Sequence, residues 1–163
     1  MLEIGVLGGA SLRMWEEFFP LADIFAIDVD TACAAHASAR TTVDIVDQGD
    51  KTALQAYAAR ESCFGLIIDD GGHRMKQQIL SFEVLFPTLL PGGMYIIEDS
   101  HTSYIGLYGG GIGRKLTTVK YFHAMTDELN QGRGAVAGTF VEPTKLSVAS
   151  IEFMRGLIII RRI

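Results

Sequence analysis

The sequence predicts an α/β fold: a Rossmann-like doubly wound sheet, mostly parallel, with one antiparallel strand in a C-terminal hairpin. Three observations carry this reading. Short apolar runs alternate with helical patterns almost from the first residue, the signature of strand–helix units that cover a parallel sheet on both faces. The runs are continuous rather than alternating, as strands buried on both faces are. The last two runs, Leu146–Phe153 and Leu157–Ile163, are joined across Met154-Arg155-Gly156, a connection so short that only antiparallel pairing is allowed.

The elements follow in order. Leu2–Leu7 is a strand ending at Gly8-Gly9, and Ser11 is expected to cap a helix through Phe18 with Met14, Trp15 and Phe18 inward and Pro20 stopping it. Ile24–Ile27 is a second strand ended by Asp28 and Asp30, and the alanine-rich Thr31–Ala39 reads as a helix. Thr41–Val46 is a third strand ending at Asp47-Gln48, and Lys51–Arg60 is helical. Phe64–Ile68 runs into Asp69-Asp70-Gly71-Gly72-His73. Met75–Leu90 carries Met75, Ile79, Phe82, Leu85, Phe86 and Leu89 at helical spacing, and Pro91-Gly92-Gly93 turns it into a fifth strand, Met94–Ile97, ended by Glu98-Asp99. Ser100–Gly113, rich in glycine, reads as a mobile functional loop, and Thr118–Leu129 as a helix with Val119, Phe122, Met125 and Leu129 inward.

Composition bounds the function. The 163 residues are 48% hydrophobic and 20% charged, enough apolar material for one core and incompatible with a disordered chain or a charged coiled coil. A formal net charge of -5 argues against a dedicated nucleic-acid binder. No apolar stretch approaches the ~20 residues of a membrane helix, and the start lacks a secretory pattern. Cys33 and Cys63 lack metal-site spacing and are expected to be small buried residues in a reducing compartment. One cytoplasmic domain over residues 1–163 is expected, with no nucleic-acid or membrane partner and with homo-oligomerisation left open.

In an open parallel sheet, ligands bind beyond the carboxyl ends of the strands. Here those ends are Gly8-Gly9, Asp28, Asp47-Gln48, Asp69-Asp70 and Glu98-Asp99, four acidic ends on one rim. The glycines let backbone approach a ligand, Asp28 stands where an acid accepts hydrogen bonds from ribose hydroxyls, and Asp47 and Gln48 stand where an adenine edge would be read. Together they describe an adenosine pocket without saying which adenosine cofactor fills it. The missing GxGxxG and the antiparallel ending weaken an NAD-dependent oxidoreductase; a non-catalytic adenosine-binding domain is the other alternative. Asp70, Glu98 and Asp99 converge if their strands are neighbours, and converging carboxylates call for a hard divalent cation, Mg²⁺ or Mn²⁺. His73, three residues after Asp70, is the candidate general base, with His101 as a supporting contact and Asp69 turned to the opposite face.

Leu2-Glu3-Ile4-Gly5-Val6 with Gly8-Gly9 and Ser11-Leu12-Arg13-Met14-Trp15 resembles the first motif of bacterial methyltransferases that use S-adenosylmethionine. Asp69-Asp70-Gly71-Gly72-His73, Ile97-Glu98-Asp99 and His101-Thr102-Ser103-Tyr104 resemble the metal and base segments of the macrolide-sugar O-methyltransferases, part of which cephalosporin hydroxylase-like proteins share. The resemblance runs over nearly the whole chain. It implies that Glu3, Gly5 and Gly9 face the cofactor's methionine side, Asp28 its ribose, and Asp47 and Gln48 its adenine, with Ser11 a further cofactor-binding residue. It further implies that Mg²⁺ is held by Asp70, Glu98 and Asp99, with Asp70 also bordering the cofactor, and that His73 takes a proton from the hydroxyl of a small-molecule substrate such as a glycosylated natural product. Leu7 departs from the usual middle glycine. Relatives also carry a region ahead of the first strand that covers both pockets, so an open site is expected here.

Overall fold

A computed structural model describes residues 1–131 and 147–163; Leu146, the expected start of the hairpin, lies outside the described residues. In chain order the elements are β1 (Leu2–Ile4), α1 (Ala10–Phe18), β2 (Ile24–Asp28), a 3-10 segment (Thr31–His36), β3 (Thr41–Ile45), α2 (Lys51–Arg60), β4 (Phe64–Asp69), α3 (Met75–Leu85) and β5 (Leu89–Ile97). Two 3-10 turns (Ser100–Tyr104, Gly106–Tyr108), α4 (Thr118–Gln131), β6 (Val148–Met154) and β7 (Leu157–Arg162) complete them. The seven strands form one sheet in the order β3-β2-β1-β4-β5-β7-β6. β1 to β5 are parallel, and β7 alone is reversed, running antiparallel to both β5 and β6. The chain moves outward from β1 to β3 and then returns to β4, so the order switches direction between β1 and β4, where open sheets bind ligands.

Register explains the core. Leu2, Ile67, Tyr95 and Ile160 align across four strands, and Phe82, Leu85 and Phe122 of α3 and α4 pack on that face. Beneath α1, Val6, Leu12, Ile24, Ala26 and Cys33 form the second apolar layer. Asp69 aligns with Ile4 and Ile97 in the next row of the same face and is fully buried. Its carboxylate accepts from Gln48 Nε2 at 3.0 Å and Tyr95 Oη at 3.4 Å. Burial nevertheless pushes it up to about 6. Gln48 also donates to Ser81 Oγ at 3.1 Å and accepts from Gly72 N at 2.6 Å, so one amide ties the end of β3 to β4, α3 and the turn between them.

Several expectations change. β1 stops at Ile4 rather than Leu7 because Gly5 turns at φ +96°, where a Cβ would lie 2.5 Å from the Asp70 carbonyl oxygen. Gly9, not Ser11, caps α1, in the left-handed region at φ 66°. The buried residue of α1 is Leu12, while Met14 and Phe18 are exposed, because the helix rotates to lay Leu12 on the sheet. Thr31–His36 closes as 3-10 turns, since Asp30 caps a segment too short for an α-helix. α3 ends at Leu85 instead of Leu90 because Pro87 cannot continue it, and β5 takes up the chain from Leu89 through a register shift opposite β4. Cys33 is buried but Cys63 is exposed, at the left-handed turn into β4. The segment expected as a loop opens with two 3-10 turns, Ser100–Tyr104 and Gly106–Tyr108, in which Ser100, Thr102 and Ser103 are buried, while Tyr104, Leu107 and Ile112 are exposed.

Two measurements test this frame. Gly5→Ala combines a left-handed backbone with a contact against main chain, and we expect it to lower the unfolding free energy by about 2 kcal/mol or more in urea titration. Glu3 is buried on the α1 face of β1, and burial raises its carboxyl from 4.5 to about 7, with Ser11 and Trp15 opposing the shift. An unfolded chain releases this proton at lower pH than the folded one does, so stability falls as pH rises from 4.5 to about 7. Glu3→Gln removes that part of the fall and leaves the part owed to Asp69; identical pH profiles for the two proteins would contradict it.

Candidate functional site

The carboxyl ends of β1 to β4 surround a cavity of about 600 Å³, in the range that small-molecule ligands occupy. Gly5, Leu7, Asp28, Asp47, Asp70 and Gln77 are among its lining residues, so groups expected from four separate strand ends meet in one place. The turn after β1 is held by Asp28, whose Oδ2 accepts from Val6 N at 2.7 Å and Leu7 N at 3.4 Å while Oδ1 accepts from Asp30 N at 2.9 Å. Burial pushes Asp28 up, but those backbone donors outweigh it and hold the carboxyl below its ordinary value. A carboxylate has about four lone-pair directions. Asp28 therefore shapes the turn and keeps acceptor capacity for a ligand hydroxyl.

The remaining expected cofactor residues divide. Ser11 and Asp47 border the cavity, and Asp47 Oδ1 also accepts from Gly49 N at 2.7 Å. Gln48 reaches the lining, but its amide is committed inward to Asp69, Ser81 and Gly72. Gly9 lies away from the lining: its Cα backs onto the His36 ring, where a Cβ would stand 2.6 Å from Cγ. Glu3 lies beneath the turn, with Oε2 buried and without a hydrogen-bond partner. Gln77, which the sequence reading did not select, lines the cavity from the first turn of α3, and its Oε1 is buried without a partner. Its only signal was position, four residues after His73 on the segment leaving β4.

Beside the cavity, Asp70, His73 and Asp99 bring one ligand atom each within 4.8 Å of one another, a separation a single divalent cation spans. His73 Nε2 is 3.6 Å from Asp99 Oδ2, and His101 Nδ1 is 3.6 Å from Asp99 Oδ1, so one carboxylate faces two imidazoles. Glu98, expected as a third ligand, stands outside the close group, yet it senses it. Burial first, then Asp70 and Asp99, raise its carboxyl above the ordinary value. Asp70 is raised by burial and by Asp99 and drawn back by His73. Neighbouring acids that raise one another above their ordinary values are the surroundings a cation relieves. Two carboxylates with open sides suit Mg²⁺, which keeps several waters. His73 and Asp99 both adopt left-handed backbone, at φ 53° and 52°, uncommon for residues with a Cβ. Tyr108 sets its ring edge-on to His73, 6.3 Å between centroids.

Comparison with known proteins agrees with this geometry. A family model described as a methyltransferase domain matches residues 2–100. The chain is 30% identical over 171 residues to the 8-demethyl-8-alpha-L-rhamnosyl tetracenomycin-C 2'-O-methyltransferase of Streptomyces olivaceus, covering 99% of this chain and 45% of that protein. It is 41% identical over 118 residues to the mycinamicin VI 2''-O-methyltransferase of Micromonospora griseorubida, covering 68% of this chain and 29% of the relative. A solved structure of the MycE methyltransferase from the mycinamycin biosynthetic pathway, in complex with Mg and SAH, superposes with a TM-score of 0.89 at 29% identity, over 99% of this chain and 44% of that one. The chain thus spans less than half the length of these relatives. Among the described residues no helix is long and apolar enough to cross a membrane. The matched model covers β1 through β5 and every strand end that borders the cavity, and on that match the chain belongs to the methyltransferase domain family.

Proposed function

We propose that this chain is the catalytic part of a Mg²⁺-dependent O-methyltransferase that transfers a methyl group from S-adenosylmethionine to a hydroxyl of a glycosylated small molecule. The observation that carries the reading is adjacency: Asp70 both lines the cavity at the sheet's switch point and belongs to the group with His73 and Asp99. The relatives' names add the chemistry, since two are named O-methyltransferases, one of them for a rhamnosyl compound, and the MycE methyltransferase was solved with Mg and SAH.

When bound, S-adenosylmethionine supplies an electrophilic methyl on a sulfonium, and Mg²⁺ supplies Lewis acidity toward the acceptor's oxygens. The chain's own residues do the rest. Gly5 brings main chain against the cavity, Asp28 has its remaining acceptor position for the ribose, and Ser11 and Asp47 on the cavity lining would contact the cofactor. Asp70 and Asp99 would hold the cation, and Glu98 stands outside that close group. His73 takes the acceptor's hydroxyl proton at Nε2, and the imidazolium so formed is stabilised by Asp99, 3.6 Å away. The rim suits an acceptor with an apolar body: Leu7 and Val29 line the cavity and are 92% and 66% exposed.

Titrating S-adenosylhomocysteine into the purified chain by calorimetry tests the cofactor, and micromolar binding with NAD silent is the expected result. No binding to this chain, either alone or with Mg²⁺, would overturn the reading of the cavity. Asp70→Asn should abolish the metal dependence of transfer while leaving most of the cofactor affinity, and equal loss of both would contradict the division between the two pockets. His73→Ala should lower turnover by about 10²- to 10⁴-fold with little change in acceptor binding; unchanged turnover would remove it as the base.

A further inference from the structure

We propose that Thr102 is a positioning residue, whose hydroxyl clips together the two left-handed residues, His73 and Asp99, that supply the base and a cation ligand. These residues come from separate loops, His73 after β4 and Asp99 after β5. Sheet pairing between the two strands ends at Asp69 and Ile97, followed by one further bond from Glu98 N to Asp69 O at 2.9 Å. Beyond that bond the loops diverge, and the ladder no longer fixes their spacing.

Thr102 spans the gap. Its Oγ1 lies 2.7 Å from the Asp99 carbonyl oxygen and 3.1 Å from the His73 carbonyl oxygen, so one hydroxyl proton is shared between two acceptors in a three-centre bond. Its amide donates to the same Asp99 oxygen at 2.9 Å. The residue is 2% exposed, so water does not compete for these carbonyls at the hydroxyl. The clip is itself held from behind. Thr102 O accepts from Ile105 N at 2.9 Å, and Gly110 packs so closely that a Cβ there would meet the same oxygen at 2.3 Å. The buried 3-10 turn at Ser100–Tyr104 therefore has a task beyond filling space. It aims a hydroxyl at the carbonyls of two residues whose positive φ turns their side chains toward each other, 3.6 Å apart.

Two substitutions separate the hydroxyl from the methyl. Thr102→Val keeps the shape and loses the proton donor; Thr102→Ser keeps the donor and loses the methyl. In the metal-free protein, backbone chemical shifts of His73 and Asp99 report φ. We expect Val to move both away from left-handed values, while Ser leaves them as in the wild type. Unchanged shifts in the Val variant, or equal changes in the two variants, would overturn the proposal and leave Thr102 as packing. The second readout rests on the reading of the cation site given above. Calorimetric Mn²⁺ affinity should fall about tenfold in Val and be retained in Ser. Failure of the wild type to bind Mn²⁺ would count against the cation reading alone, and the shifts would still decide the role of Thr102.

Discussion

The side-chain amide of Gln48 is the constraint on which the site depends. It is buried, and it spends both N–H groups on Asp69 and Ser81 and its oxygen on Gly72 N. An unpaired amide in that position would carry a desolvation cost, so the three partners are held together as a set. The set includes the end of β3, the last residue of β4, the middle of α3 and the turn that delivers His73. It also explains why Gly71 has no side chain, since a Cβ there would lie 2.2 Å from Gln48 Oε1. Moving any one of these elements breaks bonds in the other three, and the cavity inherits that rigidity.

Above this frame, acid groups are placed in two different electrostatic settings. Asp28 meets three backbone N–H donors and is kept ionised. Asp70 and Glu98 meet burial and each other's neighbourhood, and both are pushed toward the protonated form. The first setting shapes a turn without help. The second is unfavourable until a positive charge arrives, which is why the two carboxylate groupings, though they border the same cavity, differ in what they ask of a ligand.

Much of this was legible in the sequence. Continuous apolar strands gave the parallel sheet, the Met154-Arg155-Gly156 turn gave the reversed strand, and acidic strand ends gave the rim, because each rests on local pattern and one topological rule. The misreadings fall where tertiary geometry decides. Helical spacing in α1 could not tell which face met the sheet, and Leu12 rather than Met14 and Phe18 was buried. Pro87 was passed over inside a long apolar run, so α3 was drawn too long. Gln48 does reach the cavity lining, but the partners of its amide lie 21, 24 and 33 residues away and leave no local trace. Gln77 left no trace for the same reason, and Thr102, though it stands in a segment singled out by resemblance, had no role there: nothing in a threonine or a glutamine announces which carbonyl or cavity it will face.

The place of β7 in the sheet has a consequence for how the molecule assembles. β5 pairs on one side with β4, nearby in the chain, and on the other with β7, whose Arg161 lies opposite Met94 and 67 residues beyond it. Until that segment arrives, the inner strand of the finished sheet is an edge, with a row of unpaired main-chain groups beside its apolar residues. Closing so long a loop costs entropy before any contact repays it. On the other side of the β4–α3–β5 unit, β1 pairs with β4 over a span of similar length, with Leu2 opposite Ile67. The unit is thus flanked on both sides by pairings between segments far apart in the chain, and until both form, each of its strands keeps one open edge.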